Sequence, residues 1–178
     1  LKKLLFFTNN EKKTLEVNQI FKSNKIKIIN LNSLEKTKSP KETGKTFSEN
    51  AKIKSKFGQK KFKIPCFADD SGFCVKALKN LPGVQSKLFL EKFNSNNSAF
   101  EYIISKVIKK NDDRAYFISA ISLSLNANHH IIFLGKIYGR ISLIPKGQNG
   151  FGYDPIFIPE NNKRTFAEMN LKEKNKIS

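Results

Sequence analysis

Two adjacent acids, Asp69 and Asp70, directly follow the short apolar run 64–68 and precede Ser71 and Gly72. Placing two carboxylates against a buried strand is costly unless cations lie beside them. Hard oxygen ligands at the end of a strand can also hold Mg²⁺ against phosphate groups. The alternative is an ordinary Asx-rich turn that contains a glycine. The pattern alone leaves both interpretations open.

The segment from Thr8 to Lys13 lies where an N-terminal apolar strand passes into a helix. A helix N-terminus offers unpaired N–H groups and a partial positive charge. With a lysine one turn into the helix, the junction can bind phosphate. The competing interpretation is a plain strand–turn–helix junction with an asparagine cap. Glu42, in the polar loop 32–45, is a metal-ligand candidate only if a second carboxylate lies beside it.

The loop 145–155 combines three glycines with aromatic residues. Glycine permits close approach of the backbone to a ligand, and aromatic rings present a surface suited to a flat base. The alternative is a tight loop that packs Phe151 and Tyr153 into the core. The sequence pattern does not decide between a binding loop and a packing loop.

Strands and helices alternate in the first half of the chain, and strands joined by turns fill the second half. This order predicts an α/β fold in which a mixed central sheet is flanked by helices. The first predicted helix spans residues 12–22. The second is capped by Thr46 and ends near Phe57, with Gly58 at its end. Two further helices are predicted to open with the capping boxes Ser98–Glu101 and Thr165–Glu168, the last of them short. The predicted strands are 3–7, 26–31, 64–68, 73–78, 115–125, 131–138 and 140–144, with turns at 81–83 and 126–128.

The composition narrows the class of protein. The 178 residues suit a single domain, and no apolar run approaches the roughly 20 residues that span a bilayer, so no membrane partner is expected. The net charge is +18, yet only Arg114, Arg140 and Arg164 are arginines, and the lysines are spread along the chain. This favours drift of composition over a nucleic-acid surface. The isolated Cys66 and Cys74 predict a reduced cytoplasmic setting.

Taken together, these segments resemble the ITP/XTP pyrophosphatase family, which removes non-standard purine nucleoside triphosphates. The resemblance covers essentially the whole chain, and two of its motifs, around Asp69-Asp70 and around Phe151-Gly152, are specific in combination. The matching motifs occur in the order Thr8-x-Asn10-x-x-Lys13, Glu42-Thr43-Gly44-x-Thr46-Phe47-x-Glu49-Asn50-Ala51, Ala68-Asp69-Asp70-Ser71-Gly72, Pro82-Gly83-Val84, Gly150-Phe151-Gly152-Tyr153-Asp154-Pro155-Ile156-Phe157 and Glu173-Lys174-Asn175-x-Ile177-Ser178.

The resemblance implies two lobes with a substrate cleft between them, usually in a homodimer. It implies hydrolysis of ITP, dITP or XTP to the monophosphate and pyrophosphate, with Mg²⁺ bound through Glu42 and Asp70. Asp70 would also be the base for water, with Asp69 supporting the site. Substrate contacts are implied for Thr8, Asn10, Lys13, Lys54, Ser71, Phe151, Gly152, Tyr153, Asp154 and Lys174.

The chain departs from the family pattern in three places. Asn9 replaces a glycine, although asparagine tolerates a left-handed turn. The segment Gln85–Leu88 lacks the arginine usual there. The family continues with His-Arg after Ser178, so we expect 1–178 to be a single domain truncated at its C-terminal end. Two alternatives stay open: a related pyrophosphatase for other altered nucleotides, and a basic nucleic-acid-binding module, although no specific nucleic-acid signature is present.

Overall fold

The computed structural model describes residues 3–22, 26–34 and 37–177. Within these ranges the chain forms seven β-strands, five α-helices and several short 3₁₀ segments. The strands are β1 (Lys3–Phe6), β2 (Lys27–Asn30), β3 (Cys66–Val75), β4 (Leu81–Gly83), β5 (Arg114–Ser124), β6 (His130–Ile141) and β7 (Phe157–Pro159). The helices are α1 (Glu11–Phe21), α2 (Phe47–Phe62), α3 (Ser86–Glu91), α4 (Asn96–Lys110) and α5 (Leu171–Lys174).

All seven strands belong to one sheet, in the order β2-β1-β3-β5-β6-β7, with β4 paired to β3 outside this path. β1 runs parallel to both β2 and β3, whereas β4 is antiparallel to β3 and β7 is antiparallel to β6. The sheet is therefore mixed. The predicted α/β class is confirmed.

The residues group into two compact units. The first contains the described residues of Leu1–Asp70 and Ser119–Gly135, and the second contains those of Ser71–Ile118 and Lys136–Ser178. In the first unit, alternation along β1 separates two cores. Leu5 and Phe7 pack with residues that include Phe57 of α2, whereas Leu4 and Phe6 pack with residues that include Val17 of α1.

The core of the second unit is mainly aromatic. Phe73, Phe157 and Tyr153 are almost completely buried, and the ring of Phe73 contacts the other two with centroid distances of 5.8 and 4.7 Å. Helix α4 covers this core with Phe100, Ile103 and the other apolar residues of its buried face. The Gly-rich loop 145–155 and the short 3₁₀ helix at its end, Asp154–Ile156, are thus anchored to this aromatic cluster.

The predicted end of helix α2 is wrong. The helix continues through Gly58 to Phe62, and Lys63 in a left-handed conformation (φ 57°) is the C-cap. Gly58 is buried, and a Cβ on it would lie 2.6 Å from Cys66 Sγ and 2.7 Å from Phe7 Cδ2. The glycine therefore permits close packing of α2 on β1 and β3 and does not terminate the helix.

Two strand predictions also need correction. β3 runs unbroken from Cys66 to Val75, so the two aspartates lie within a strand and not at its end. β6 is likewise one continuous strand, where segments 131–138 and 140–144 were predicted as two. Residues 81–83, predicted as a turn, form the short strand β4.

Of the remaining local predictions, some are confirmed and some are wrong. Helix α4 begins after the cap Ser95, whose Oγ accepts the Ser98 N–H at 3.1 Å, so Ser98 is not the cap. The capping boxes at Thr46 and Thr165 are confirmed, although the second opens a 3₁₀ helix. The turn at 126–128 is confirmed. Asn9 does not adopt a left-handed conformation.

Across residues 3–22, 26–34 and 37–177, no helix combines the length and apolar character needed to cross a membrane.

Candidate active site

The two adjacent acids of β3 meet different helices. Successive side chains of a strand point to opposite faces of the sheet. Asp69 contacts Lys13 of α1, whereas Asp70 contacts α2. Each carboxylate is paired with a lysine on its own face, which is the condition for placing two adjacent acids in a largely buried strand.

On the α1 side, the local sequence fixes the lysine that reaches Asp69. The side chain of Asn10 caps α1 by accepting the Lys13 N–H at 3.2 Å, and Thr8 Oγ1 accepts the Asn10 N–H at 3.2 Å. Lys13 Nζ donates a hydrogen bond to the Asp69 carboxylate. Burial favours a lower pKa for Lys13, but the charge and hydrogen bond of Asp69 outweigh it, so the pKa is raised. Lys13 is thus held as a cation.

On the α2 side, the capping box fixes the start of the helix. Thr46 Oγ1 accepts a hydrogen bond from the Glu49 N–H at 3.2 Å, and Glu49 Oε2 accepts one from the Thr46 N–H at 3.1 Å. Asn50 and Lys54, four residues apart, lie on the same side of the helix. Both contact the carboxylate of Asp70.

The ammonium group of Lys54 joins two carboxylates. Lys54 Nζ lies 3.3 Å from Glu42 Oε2 and 3.6 Å from Asp70 Oδ1. Asp70 Oδ2 accepts a hydrogen bond from Asn50 Nδ2 at 3.1 Å. Glu42 therefore has the partner carboxylate on which its predicted metal role depends.

The environment of Asp70 disfavours its charge. The Asp70 side chain is only 12% exposed, and burial raises the pKa of this carboxyl above its ordinary value. Lys54 and Asn50 act in the opposite direction, and the nearby charge of Glu42 raises the pKa further. Asp70 is therefore more basic than an exposed aspartate, and additional positive charge near it is favourable.

The donor set fits a magnesium ion. Within the described part of the chain, no three or more His, Cys, Asp or Glu side chains form a metal-binding group. Mg²⁺ is commonly bound through one or two carboxylates together with water and substrate phosphates. Glu42 and Asp70, already close to one shared cation, provide such a pair.

A second group of predicted residues lies in the other unit, around Lys174. Lys174 Nζ is 2.7 Å from Asp154 Oδ2 and lies over the Phe151 ring, 4.6 Å from its centroid. Asp154 Oδ2 also accepts the Phe151 N–H at 2.8 Å. A Cβ on Gly150, whose φ is +75°, would lie 2.0 Å from Asp154 Oδ2, so this close turn requires glycine. The loop thus holds a cation against an aromatic face.

Tyr153 is embedded in the core of this unit. Its ring stacks on Phe73, and its hydroxyl donates to the Ser86 carbonyl at 2.8 Å. Ser71 and Gly152 are both partly exposed, with Ser71 next to Asp70 in β3. Substrate contacts by Ser71, Gly152 and Tyr153 stay predictions.

Sequence reasoning missed the roles of two residues. Asn50 lies in the motif that begins at Glu42, but no role was predicted for it. Its position four residues before Lys54 in a predicted helix was the available signal. Ser86 lies in the segment that departs from the family pattern. Its Oγ accepts the Phe73 N–H at 2.8 Å and donates to the Gly83 carbonyl at 2.6 Å, which ties α3 to β3 and β4.

The described site thus combines paired carboxylates that share one lysine with a second lysine at a helix N-terminus, charges suited to binding a divalent cation and a phosphate compound. The chain belongs to the Ham1 family, whose family model matches residues 4–178. This confirms the family predicted from the motifs.

The similarity extends over nearly the full length of known relatives. The chain is 44% identical to a dITP/XTP pyrophosphatase of Borrelia duttonii, covering 100% of this chain and 91% of the relative. It is 36% identical to a dITP/XTP pyrophosphatase of Christiangramia forsetii, covering 99% and 92%. A solved structure of a HAM1 protein from Coxiella burnetii matches with a TM-score of 0.88 at 34% identity, covering 100% and 92%.

The geometry predicts that Lys54 competes with a metal ion for Glu42 and Asp70. In a Lys54→Met variant without nucleotide, we expect Mn²⁺ to bind about tenfold more tightly, which adds about 1.4 kcal/mol of stabilisation at saturating metal. Thermal unfolding with and without Mn²⁺ measures the effect. Lys56→Met, which removes an exposed lysine of the same helix, is the matched control. A smaller Mn²⁺ stabilisation in Lys54→Met than in wild type would contradict the shared-cation geometry.

Proposed function

We propose that this protein hydrolyses the non-standard purine nucleoside triphosphates ITP, dITP and XTP to the nucleoside monophosphate and pyrophosphate, with Mg²⁺ as cofactor. The observation that carries the proposal is the buried Asp70, which shares the Lys54 cation with Glu42. The names of the dITP/XTP pyrophosphatase relatives support the substrate class.

The proposed chemistry follows from the charges of the first unit. Mg²⁺, when bound, neutralises phosphate charge and makes pyrophosphate a better leaving group. Lys13 and Lys54 bind the triphosphate and orient it, and Asp69 holds Lys13 in place. Asp70, whose pKa is raised by burial, accepts a proton from the water that attacks the α-phosphorus. The bond between the α-phosphorus and the bridging oxygen then breaks.

Thr8 and Asn10 have a supporting role in this proposal. Their side chains shape the turn before α1 and cap its first residues. The backbone N–H groups at this helix end then contribute to binding phosphate. The charge of Lys13 reinforces the same site.

Base selection is proposed for the residues around Lys174. ITP and XTP present a keto oxygen at the purine 6-position, whereas ATP presents an amino donor. A cationic donor such as Lys174, already in contact with the Phe151 ring, donates a hydrogen bond to the keto oxygen and disfavours the opposing amino donor of ATP. GTP also carries the 6-keto group, so its exclusion depends on the 2-position. Asp154 and Ser71 complete the proposed nucleoside contacts.

A substrate panel tests the proposed function. We expect pyrophosphate release from ITP, dITP and XTP to exceed release from GTP and ATP, and to require Mg²⁺. Altered pyrimidine triphosphates in the same panel test for a related pyrophosphatase of different substrate range. A salt-titrated DNA-binding assay beside it tests the nucleic-acid alternative. Absence of pyrophosphate release from every triphosphate would overturn the proposal.

Asp70→Asn is expected to abolish turnover and leave the fold intact. A neutral amide is a poor Mg²⁺ ligand and cannot take a proton from water, and the loss of a general base alone typically costs about 10²–10⁴ in rate. The measurements are pyrophosphate release and circular dichroism of the purified variant. Near wild-type activity in folded Asp70→Asn would remove Asp70 from both roles.

Lys13→Ala is expected to weaken triphosphate binding far more than monophosphate binding. A charge-assisted phosphate contact contributes about 1.5–3 kcal/mol, which corresponds to about ten- to a hundredfold in affinity. Calorimetric titration with a non-hydrolysable triphosphate and with IMP measures both losses. Lys12→Ala, a change at the neighbouring lysine, is the control. Equal losses for the two ligands would show that Lys13 is structural.

We also propose a homodimer that buries the apolar surface of β6. The side chains Ile131 to Leu134 are all exposed; Phe133 is 56% exposed and Leu134 is 63% exposed. Consecutive strand residues point to opposite faces, so both faces of this segment carry accessible apolar groups. Contiguous exposed apolar surface is typical of protein interfaces. A second copy of the chain is the partner that the family resemblance implies.

Leu134→Lys is expected to shift the protein from dimer to monomer, because a charge would be buried without a partner in the interface. Light scattering coupled to gel filtration measures the mass. Leu15→Lys is the matched control, since Leu15 is 60% exposed on α1. A wild-type monomer, or a Leu134→Lys variant of unchanged mass, would contradict the proposed interface.

A cytoplasmic location is proposed on the state of the two cysteines. Cys66 and Cys74 are free thiols and are both buried, and burial raises the pKa of Cys66 to about 12. Such thiols are unreactive and fit a reducing compartment.

A further inference from the structure

Asn50 is a buried polar residue whose side chain joins Asp70 to the loop that carries Glu42. It is 5% exposed and lies in the second turn of α2. Its Oδ1 accepts the backbone N–H of Gly44 at 2.8 Å, and its Nδ2 donates to Asp70 Oδ2 at 3.1 Å. Gly44 stands two residues after Glu42, so the Asn50 amide links the loop that carries one carboxylate to the other carboxylate.

The two partners fix the orientation of the amide. The N–H of Gly44 requires an acceptor, and the ionised Asp70 requires a donor, so only one placement of the amide oxygen and nitrogen satisfies both. The side chain thereby engages Oδ2 of Asp70 and leaves Oδ1 directed toward Lys54, 3.6 Å away. Asp70 cannot rotate without breaking the Asn50 bond.

Gly44 is matched to this arrangement. A Cβ at Gly44 would lie 2.6 Å from Asn50 Oδ1 and 2.6 Å from the Cβ of Glu49. Real Cβ atoms do not approach other atoms this closely, so any side chain at position 44 displaces the loop or the amide. The close approach of the loop to α2 and the hydrogen bond to Asn50 therefore depend on the same glycine.

We propose that Asn50 is a positioning residue that sets the spacing between Glu42 and Asp70 for a divalent cation. This inference rests on the proposed function in one respect: it takes the cation bound by Glu42 and Asp70 to be the cation used in hydrolysis. Asn50 does not touch substrate or metal in this role. It acts by holding Asp70 and the Glu42 loop in one fixed relation, as residues behind metal ligands commonly do.

Asn50→Ala is expected to weaken Mn²⁺ binding to the nucleotide-free chain by about tenfold, the lower end of the range for losses behind metal ligands. In turnover, kcat falls at limiting Mg²⁺ and recovers at high Mg²⁺, while the KM for ITP at saturating Mg²⁺ stays near that of wild type. A general loss of folded protein would not be recovered in this way.

Gly44→Ala provides an independent variant. Its Cβ displaces the same amide from the other side, so we expect a similar weakening of Mn²⁺ binding. The double variant is expected to lose little more than either single variant, because both changes break one link. If Asn50→Ala does not fold, the binding measured on Gly44→Ala decides the proposal.

The matched control is Ser55→Ala. Ser55 is a fully buried polar residue of the same helix whose hydroxyl lies 2.9 Å from those of both Ser122 and Ser124. We expect this change to lower the melting temperature and leave Mn²⁺ affinity unchanged. The control separates loss of a buried hydrogen bond from loss of the link to Asp70.

The deciding experiment is an electron paramagnetic resonance titration of the full chain with Mn²⁺, without nucleotide, alongside melting curves. Weaker binding in Asn50→Ala and Gly44→Ala, but not in Ser55→Ala, supports the proposal. Wild-type affinity in folded Asn50→Ala, or no Mn²⁺ binding by wild type, overturns it. Mn²⁺ binding without pyrophosphate release from any triphosphate would refute the proposed function and leave the Asn50 comparison valid.

Discussion

The candidate site depends on the ion pairs that the ammonium group of Lys54 forms with Glu42 and Asp70, both within 3.6 Å. A carboxylate as buried as Asp70 is stable in its charged form only beside a cation and hydrogen-bond donors. Lys54 supplies the cation and Asn50 supplies the donor. Both are available because the capping box at Thr46 starts α2 at the position that turns these side chains toward β3.

The close packing of α2 on the sheet has a cause farther along the helix. At Gly58 the helix packs so closely on Phe7 and Cys66 that no space remains for a Cβ. This lets the helix lie close enough to β3 for Lys54 and Asn50 to reach Asp70. On the other face of β3, Asp69 is likewise paired with a lysine from a helix, Lys13 of α1. One continuous strand thereby holds two adjacent carboxylates, each neutralised from a different helix.

The grouping of charged residues around Asp69 and Asp70 could be predicted from the sequence better than the limits of the elements that hold them, while the catalytic roles of these residues stay predictions. The Asp69-Asp70 pair and Lys13 stood out by type and spacing, and the caps at Thr46 and Thr165 followed from local rules. The acids nevertheless lie within a strand, because lysines distant in sequence offset their charge. Local propensity favours a turn at Asp-Asp-Ser-Gly. It fails here because it contains no information on lysines that are distant in sequence.

The same limit explains Gly58 and Asn50. A glycine after a helical run is typical of a C-cap, but contact with Cys66 and Phe7 decides its role here. Asn50 joins Asp70 across 20 residues of sequence, a pairing that only tertiary structure reveals. Tyr153 is a further example, since a glycine–aromatic loop does not indicate whether its ring faces a ligand or the core.

The position of water attack tests the central claim most directly. If Asp70 and the cation site direct water to the α-phosphorus, hydrolysis of ITP in ¹⁸O-enriched water places the label in the phosphate of IMP. Phosphorus NMR of the products detects this label through its isotope shift. The account predicts labelled IMP and unlabelled pyrophosphate. Label in pyrophosphate, or formation of IDP with labelled phosphate, would contradict it.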